Sequence, residues 1–227
     1  MKRDKAFFFV ISSLLILPLL GLHAASRAEV DIDRLETALG RLEHRYKTVH
    51  TIQGNFLQST KRVSQGSREL QENGRFFFDL PGKMRWEYDS NPKKVIVSDG
   101  TTLWMLEPAD SRMQVLKTGL SEDTLYKTPL ALLLGAGSLR NSFEVISLDE
   151  GPSELKLGLA PKRATDMPLK KLTLYLSLNG DTIQGIVMTD YFGNQTAIRF
   201  SSLKWNKKLP ASLFRFRPPE GADVIER

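Results

Sequence analysis

The chain has 227 residues and no cysteine, so it can form no disulfide and cannot carry a lipid on an N-terminal cysteine. Its formal net charge of +6 comes from 32 basic and 26 acidic residues, of which four and one, respectively, lie within the first 28. The rest of the chain therefore has 28 basic and 25 acidic residues, a net charge of +3 that excludes a nucleic-acid-binding surface of the usual strongly basic kind.

The N-terminus has the three parts of a secretory signal peptide. Basic residues 2–5 precede an apolar run over 6–22, and small residues occupy most of 24–28. A membrane anchor is the alternative, but Pro18, the short run and the small residues after it favour cleavage. We expect residues 1–28 to be removed, with a mature start near Glu29 and Ala25 or Ser26 as alternatives. Residues 29–227 are expected to form one periplasmic domain that is soluble.

The first element after this segment is predicted to be a helix. Apolar side chains recur at intervals of three and four residues from Ile32 to Val49, which is typical of an amphipathic helix of about five turns.

After His50 the apolar period changes to two, which indicates strands. The clearest one is residues 83–88, in which Met84, Trp86 and Tyr88 alternate with charged residues, and Asp99-Gly100 predicts a hairpin. Further strands are expected over 113–117, 143–148, 155–160, 171–178, 182–190, 195–205 and 214–217. Residues 120–139 break this pattern and predict one or two short helices, with proline at a first helical position.

About eleven short strands joined by tight turns predict an α+β fold with a mostly antiparallel sheet. Two helical segments cannot cover both faces of so large a sheet, so we expect one strongly curved sheet with helices across its concave side. A closed barrel or a sandwich is the alternative.

Catalytic motifs are missing from the sequence. It contains no Gly-x-Ser-x-Gly and no phosphate-binding glycine fingerprint, and His44 and His50 are spaced to lie on opposite faces of a helix. A pair of carboxylates distant in sequence stays open as an enzymatic alternative. We expect no enzyme activity, no metal and no cofactor.

Large apolar side chains are concentrated on the first strands. About half of them are expected to be ordinary core, but few helices are available to cover the sheet. The surplus indicates an apolar cavity lined by methionine and aromatic side chains, which adapt to irregular guests.

Three segments resemble the periplasmic outer-membrane lipoprotein carrier family (LolA-like). They are residues 80–104, which include LPGKMRWEY and IVSDGTTLW, residues 52–58 (IQGNFLQ), and residues 214–224 (FRFRPPEGADV). The resemblance implies an unclosed β-barrel whose hydrophobic cavity is lidded by helices. It also implies a carrier that takes acylated lipoproteins from an inner-membrane ABC transporter and passes them to an outer-membrane receptor, with a monomer expected. A lipid- or peptide-sensing module on the same fold is the alternative.

The resemblance also guides the expected site, since it places Phe56, Met84 and Trp86 at the cavity or its mouth. The full set of residues expected to line the cavity is Phe56, Phe76, Phe78, Met84, Trp86, Tyr88, Trp104, Leu130 and Leu133. Leu80 stands where relatives have an arginine that holds the lid closed. Either Arg85 or Arg75 replaces that arginine, or packing alone holds the lid, which is the alternative we favour; Leu80 and Arg85 are therefore assigned to the lid region.

Overall fold

The computed structural model describes residues 32–66, 68–109, 112–120, 139–163 and 169–226. The predicted signal peptide lies outside these residues. So do the helices predicted around Leu130 and Leu133, apart from one short helix at the end of that segment.

Helix α1 spans Ile32–Thr48 and confirms the predicted amphipathic stripe. Its side chains Leu35, Leu39 and Leu42 are buried on one face. Asp33 lies in the first turn and Arg45 in the last, where their charges interact favourably with the helix dipole.

In the part of the chain that the structure describes, twelve strands form one sheet, one more than the sequence predicts. They are β1 (Thr51–Lys61), β2 (Glu69–Asp79), β3 (Lys83–Tyr88), β4 (Val95–Asp99), β5 (Thr102–Ala109), β6 (Arg112–Gly119), β7 (Phe143–Glu150), β8 (Glu154–Pro161), β9 (Lys171–Ser177), β10 (Ile183–Thr189), β11 (Gln195–Trp205) and β12 (Asp223–Glu226). A short helix α2 (Leu139–Ser142) leads into β7, and two 3-10 turns cover Val63–Gln65 and Ala211–Phe214.

The strand order is β12-β6-β5-β4-β3-β2-β1-β11-β10-β9-β8-β7. Every pair is antiparallel except β12 with β6. The sheet is strongly curved and does not close, because β7 and β12 are its two ends. This confirms the predicted single curved sheet, and the closed barrel and the sandwich are excluded for the described residues.

The last predicted strand is misplaced. Residues 214–217 form the end of a 3-10 turn and an irregular segment, and the strand lies instead at Asp223–Glu226. The apolar alternation of Phe214 and Phe216 arises because this segment packs side chains against the sheet without joining its hydrogen-bond ladder.

The two faces of the sheet carry separate apolar clusters. The inner face, which α1 covers, holds the larger one, including Phe56, Phe76 and Trp86. The outer face holds a smaller cluster of Val95, Val97, Leu106 and Val115, against which the C-terminal segment packs through Phe216. Within the described residues, no helix is both long and apolar enough to cross a membrane.

Candidate functional site

Three rows of paired residues build the centre of the inner face. Ile52 pairs with Phe78 and Phe78 with Met84, while Gly54, Phe76 and Trp86 form the next row. Phe56, Gly74 and Tyr88 form the third row. Since directly paired residues project to the same side of a sheet, strand alternation brings six of the predicted cavity residues together. They are Phe56, Phe76, Phe78, Met84, Trp86 and Tyr88.

Trp86 is the centre of this aromatic cluster. Its ring centroid lies 4.4 Å from that of Phe56, 5.4 Å from that of Phe76 and 6.0 Å from that of Phe78. These separations are in the range of favourable aromatic contacts. Trp86 is 3% exposed and Met84 beside it is 4% exposed, so the cluster is shielded from water.

Gly74 allows the rings to lie against the strands. A Cβ atom at this position would come within 1.9 Å of the Glu87 carbonyl oxygen and 2.9 Å of Phe56 Cε1. The absent side chain thus leaves the space that the ring of Phe56 occupies, between the paired residues Gly74 and Phe200.

Tyr88 supplies the polar margin of the cluster. Its hydroxyl donates to Gln58 Oε1 at 3.1 Å, and the Nζ of Lys94 lies 4.0 Å from its ring centroid. Burial, with a contribution from the charge of Glu72, raises the pKa of Tyr88 to about 12. The phenol therefore stays neutral at physiological pH and adds no charge to an apolar site.

The crevice between α1 and this cluster that the described residues form is small. A crevice lined by Tyr46, Phe76, Phe78, Phe200 and Trp205, among others, has a volume of about 10 Å³. That is enough for no more than about one water molecule. A guest of any size can enter here only if the packed side chains or α1 move.

A larger crevice of about 260 Å³ lies between α1 and the β7–β8 end of the sheet. Leu39, Leu139 and Phe143 are among its apolar walls. Arg140 of α2 spans its rim, with 2.7 Å from Nη1 to the Glu36 carboxylate and 3.2 Å from Nε to Glu43. These ion pairs connect α1 to the helix that follows residues 121–138.

Trp104 does not join the aromatic cluster, and its predicted place in the cavity is wrong. It pairs with Val97, which pairs with Arg85, so it lies on the outer face. Its ring packs 6.1 Å from Phe216 of the C-terminal segment. Strand β5 shows no clean alternation in sequence, because Leu103, Trp104, Met105 and Leu106 are all apolar, so the sequence does not tell which of them face inward.

Arg85 and Arg75 also lie on the outer face, which corrects the assignment of Arg85 to the lid region. Arg85 Nη1 donates to the Leu213 carbonyl oxygen at 3.1 Å and its Nε donates to Glu87 at 2.7 Å. Arg75 is paired with the same carboxylate at 3.1 Å. Neither side chain reaches the inner cluster, whereas the half-buried Leu80 packs against it. Residues 121–138 lie outside the described residues, so packing as the means of lid closure stays a prediction.

We predict that Arg85→Ala lowers the free energy of unfolding by about 2 kcal/mol, since it removes charge-assisted bonds to Glu87 and to the C-terminal segment. Burial tends to raise the pKa of Glu87, but its hydrogen bond with Arg85 and the Arg85 charge outweigh this, so the pKa lies below its usual value. The pair therefore stabilises the fold above the pKa of an unfolded glutamate, and this contribution is lost as the pH falls through the lower folded pKa.

Chemical denaturation of the Arg85→Ala variant measures this loss. Arg75→Ala is the matched control, because Arg75 is paired with the same carboxylate but its side chain is 61% exposed. We expect it to cost less than about 1 kcal/mol. Equal losses for the two variants at neutral pH would contradict the role assigned to Arg85.

Comparison with known proteins agrees with this architecture. Residues 47–217 match the profile of the family described as outer membrane lipoprotein carrier protein LolA. The match includes the whole inner aromatic cluster and ends just after Phe216. The chain belongs to this family.

Curated members of the family align over most of their length. An outer-membrane lipoprotein carrier protein of Methylococcus capsulatus is 32% identical over 216 residues, covering 94% of this chain and 96% of that protein. One of Dechloromonas aromatica is 32% identical over 189 residues, covering 83% and 87%. Family members are carriers, not enzymes.

A solved structure shares the fold at low sequence identity. An uncharacterized conserved protein from Thermus thermophilus superposes with a TM-score of 0.50 at 15% identity, covering 85% of this chain and 99% of that one. This likeness concerns the fold alone.

Sequence reasoning missed the part of the cluster contributed by β11. The Phe200 ring lies 5.3 Å from that of Phe76 and 6.2 Å from that of Trp86. Ile198 and Phe200 alternate in the sequence, which was a usable signal. Their neighbourhood with β1 was not visible, because β1 and β11 are about 140 residues apart in sequence and pair only in the folded sheet.

Proposed function

We propose that the protein carries lipoproteins across the periplasm by holding their acyl chains against the inner face of its sheet. In this proposal residues 1–28 are an export signal and residues 29–227 form the carrier domain. Membership in the lipoprotein carrier family supports the role, and the buried inner cluster around Trp86 is the observation that carries it.

The acyl-binding residues are proposed to be those of the inner cluster: Phe56, Phe76, Phe78, Met84, Trp86 and Tyr88, with Phe200 added by the structure. Leu130 and Leu133 belong to the proposed site as well, although they lie outside the described residues. All except these last two line one continuous apolar surface without a charged side chain among them.

The energetics require such a surface. At ~0.8 kcal/mol per methylene, a chain of about 16 carbons gains roughly 12 kcal/mol when it leaves water. A lipoprotein therefore cannot diffuse freely between two membranes. Because the crevice against α1 is nearly filled, part of this gain is spent on separating α1 from the cluster, which leaves a moderate affinity that permits release.

Loading and release need partners at both membranes. We propose an inner-membrane ABC transporter that releases the lipoprotein and an outer-membrane receptor that accepts it. The carrier itself acts as a monomer and uses no cofactor or nucleic acid.

Mass spectrometry of the protein purified from the periplasm under native conditions tests the proposal. Co-purification of a triacylated or diacylated protein supports it. A free lipid or a peptide bound in place of a lipoprotein would favour a sensing module. A substitution that places a charged side chain in the inner cluster should abolish the co-purification of lipoprotein.

We predict that Leu80→Arg lowers the uptake of a fluorescent fatty acyl probe by several-fold. Leu80 packs against the inner cluster, and an arginine there adds donors that can hold the covering segment closed. Leu57→Arg introduces the same side chain on the outer face, where Leu57 is 49% exposed, and should leave uptake unchanged. Unchanged uptake in Leu80→Arg would count against packing as the means of closure.

A further inference from the structure

An exposed apolar tip lies at the end of the sheet where β1 and β10 terminate. Phe192 is 83% exposed, Tyr191 52% and Val63 62%, although each has a large apolar side chain. Single exposed apolar residues are common on protein surfaces, but three in adjoining turns form a patch that calls for a partner. We name Val63, Tyr191 and Phe192 the aromatic tip.

The aromatic tip is held rigidly in its exposed position. Asp190 Oδ1 accepts from the backbone N–H groups of Phe192 and Asn194, both at 2.9 Å, and Asp190 Oδ2 accepts from Asn194 Nδ2 at 2.7 Å. Asn194 Oδ1 in turn accepts from the Val63 backbone N–H at 2.9 Å. This network fixes the two turns to each other. The backbone that carries the apolar side chains is therefore already ordered before binding.

Three basic residues lie in or beside the two turns of the aromatic tip. Arg62 precedes Val63, Arg68 lies on the other side of the same turn, and Lys170 bonds through its backbone N–H to Thr189 beside the second turn; all three side chains are exposed. Of the nearby acids, Glu69 is paired with Lys61 at 3.1 Å, and Asp190 is used by the turn itself.

Exposed aromatic rings with basic residues in the same and adjoining turns suit the interface of a lipid bilayer. Phenylalanine and tyrosine partition into the headgroup region, and arginine and lysine next to them are attracted to anionic lipids. A protein partner would need a concave pocket for each ring, whereas a bilayer accepts a convex tip without any pocket.

We infer that the aromatic tip docks the protein onto membrane surfaces that contain anionic phospholipid. This inference goes beyond acyl binding and does not depend on it, because the tip lies at the end of the strands and its residues belong to neither apolar cluster. Docking would hold the protein at a membrane while the inner face stays free.

Co-sedimentation with vesicles tests the inference. Protein purified from the periplasm is mixed with vesicles of phosphatidylcholine alone or with added phosphatidylglycerol. We expect binding to the anionic vesicles, and Phe192→Ser should weaken it by roughly tenfold because the inserted ring is lost. Raising the salt concentration should weaken it too.

Leu178→Ser is the matched control, since Leu178 is 47% exposed in a turn at the opposite end of the sheet. Leu178→Ser should bind vesicles as well as the parent protein does. Phe192→Ser and Leu178→Ser should both have the same thermal unfolding midpoint as the parent protein. Binding that is absent, equal in Phe192→Ser, or insensitive to salt and lipid charge would overturn the inference. Recovery of vesicle binding only when a membrane protein is present would overturn it as well, in favour of a protein partner.

Discussion

Met84→Glu is expected to reduce acyl-probe binding more than about a hundredfold at neutral pH. Met84 is 4% exposed and lies in the row of Ile52 and Phe78, so a carboxylate there is placed among apolar side chains. Placing an unpaired charge in such surroundings costs several kcal/mol, and each 1.4 kcal/mol is a factor of about ten in affinity.

The same substitution should make binding depend on pH. Desolvation raises the pKa of a buried glutamate, so the side chain becomes neutral as the pH falls, and binding should recover partly at about pH 5. Titration of a fluorescent fatty acid at both pH values measures this.

Met84→Gln is the control for shape and polarity without charge. It should bind more weakly than the parent protein but show no recovery in acid. Equal binding by Met84→Glu and the parent at neutral pH would remove Met84 from the proposed site. Thermal unfolding of both variants shows whether the loss comes from the fold, since replacing a packed methionine costs about 2 kcal/mol or more in either case.

A brominated acyl chain is expected to quench Trp86 strongly and Trp104 hardly at all. The two indoles lie on opposite faces of the same sheet, Trp86 in the inner cluster and Trp104 against Phe216. Bromine quenches tryptophan only near contact, so the two residues report on the two faces separately.

The chain has three tryptophans, so single-tryptophan proteins are easily made. Trp104→Phe with Trp205→Phe leaves Trp86, and Trp86→Phe with Trp205→Phe leaves Trp104. The fluorescence of the first protein should fall by more than half on saturation with brominated palmitate. Quenching of Trp104 to the same extent would place the acyl chain on the outer face and refute the proposed site.

In the proposed carrier, the aromatic tip binds the membrane and the inner cluster binds the acyl chain. The inner cluster is buried, whereas the aromatic tip is exposed and fixed by hydrogen bonds. A carrier that docks before it opens would expose its apolar face next to a membrane and not in water.

Sequence periodicity determined much of the fold by itself. Helix α1 and strand β3 follow from spacing alone, because one period of apolar residues matches a helix and the other matches a strand with one buried face. The same alternation predicts that Met84, Trp86 and Tyr88 lie on one side of the sheet. The single curved sheet followed from having many strands and few helices.

Tertiary structure alone decided which face each remaining residue occupies and what covers it. Trp104 is in a continuous apolar run, so alternation gave no answer, and only its pairing with Val97 places it on the outer face. The alternation of Phe214 and Phe216 predicts a strand, but this segment joins no strand pair, and Phe216 packs against outer-face side chains. Phe200 joins Phe76 only because β11 pairs with β1 across about 140 residues. Local periodicity reports which side chains are buried together along one element, while contacts between distant strands depend on the strand order of the whole sheet, which no single segment encodes.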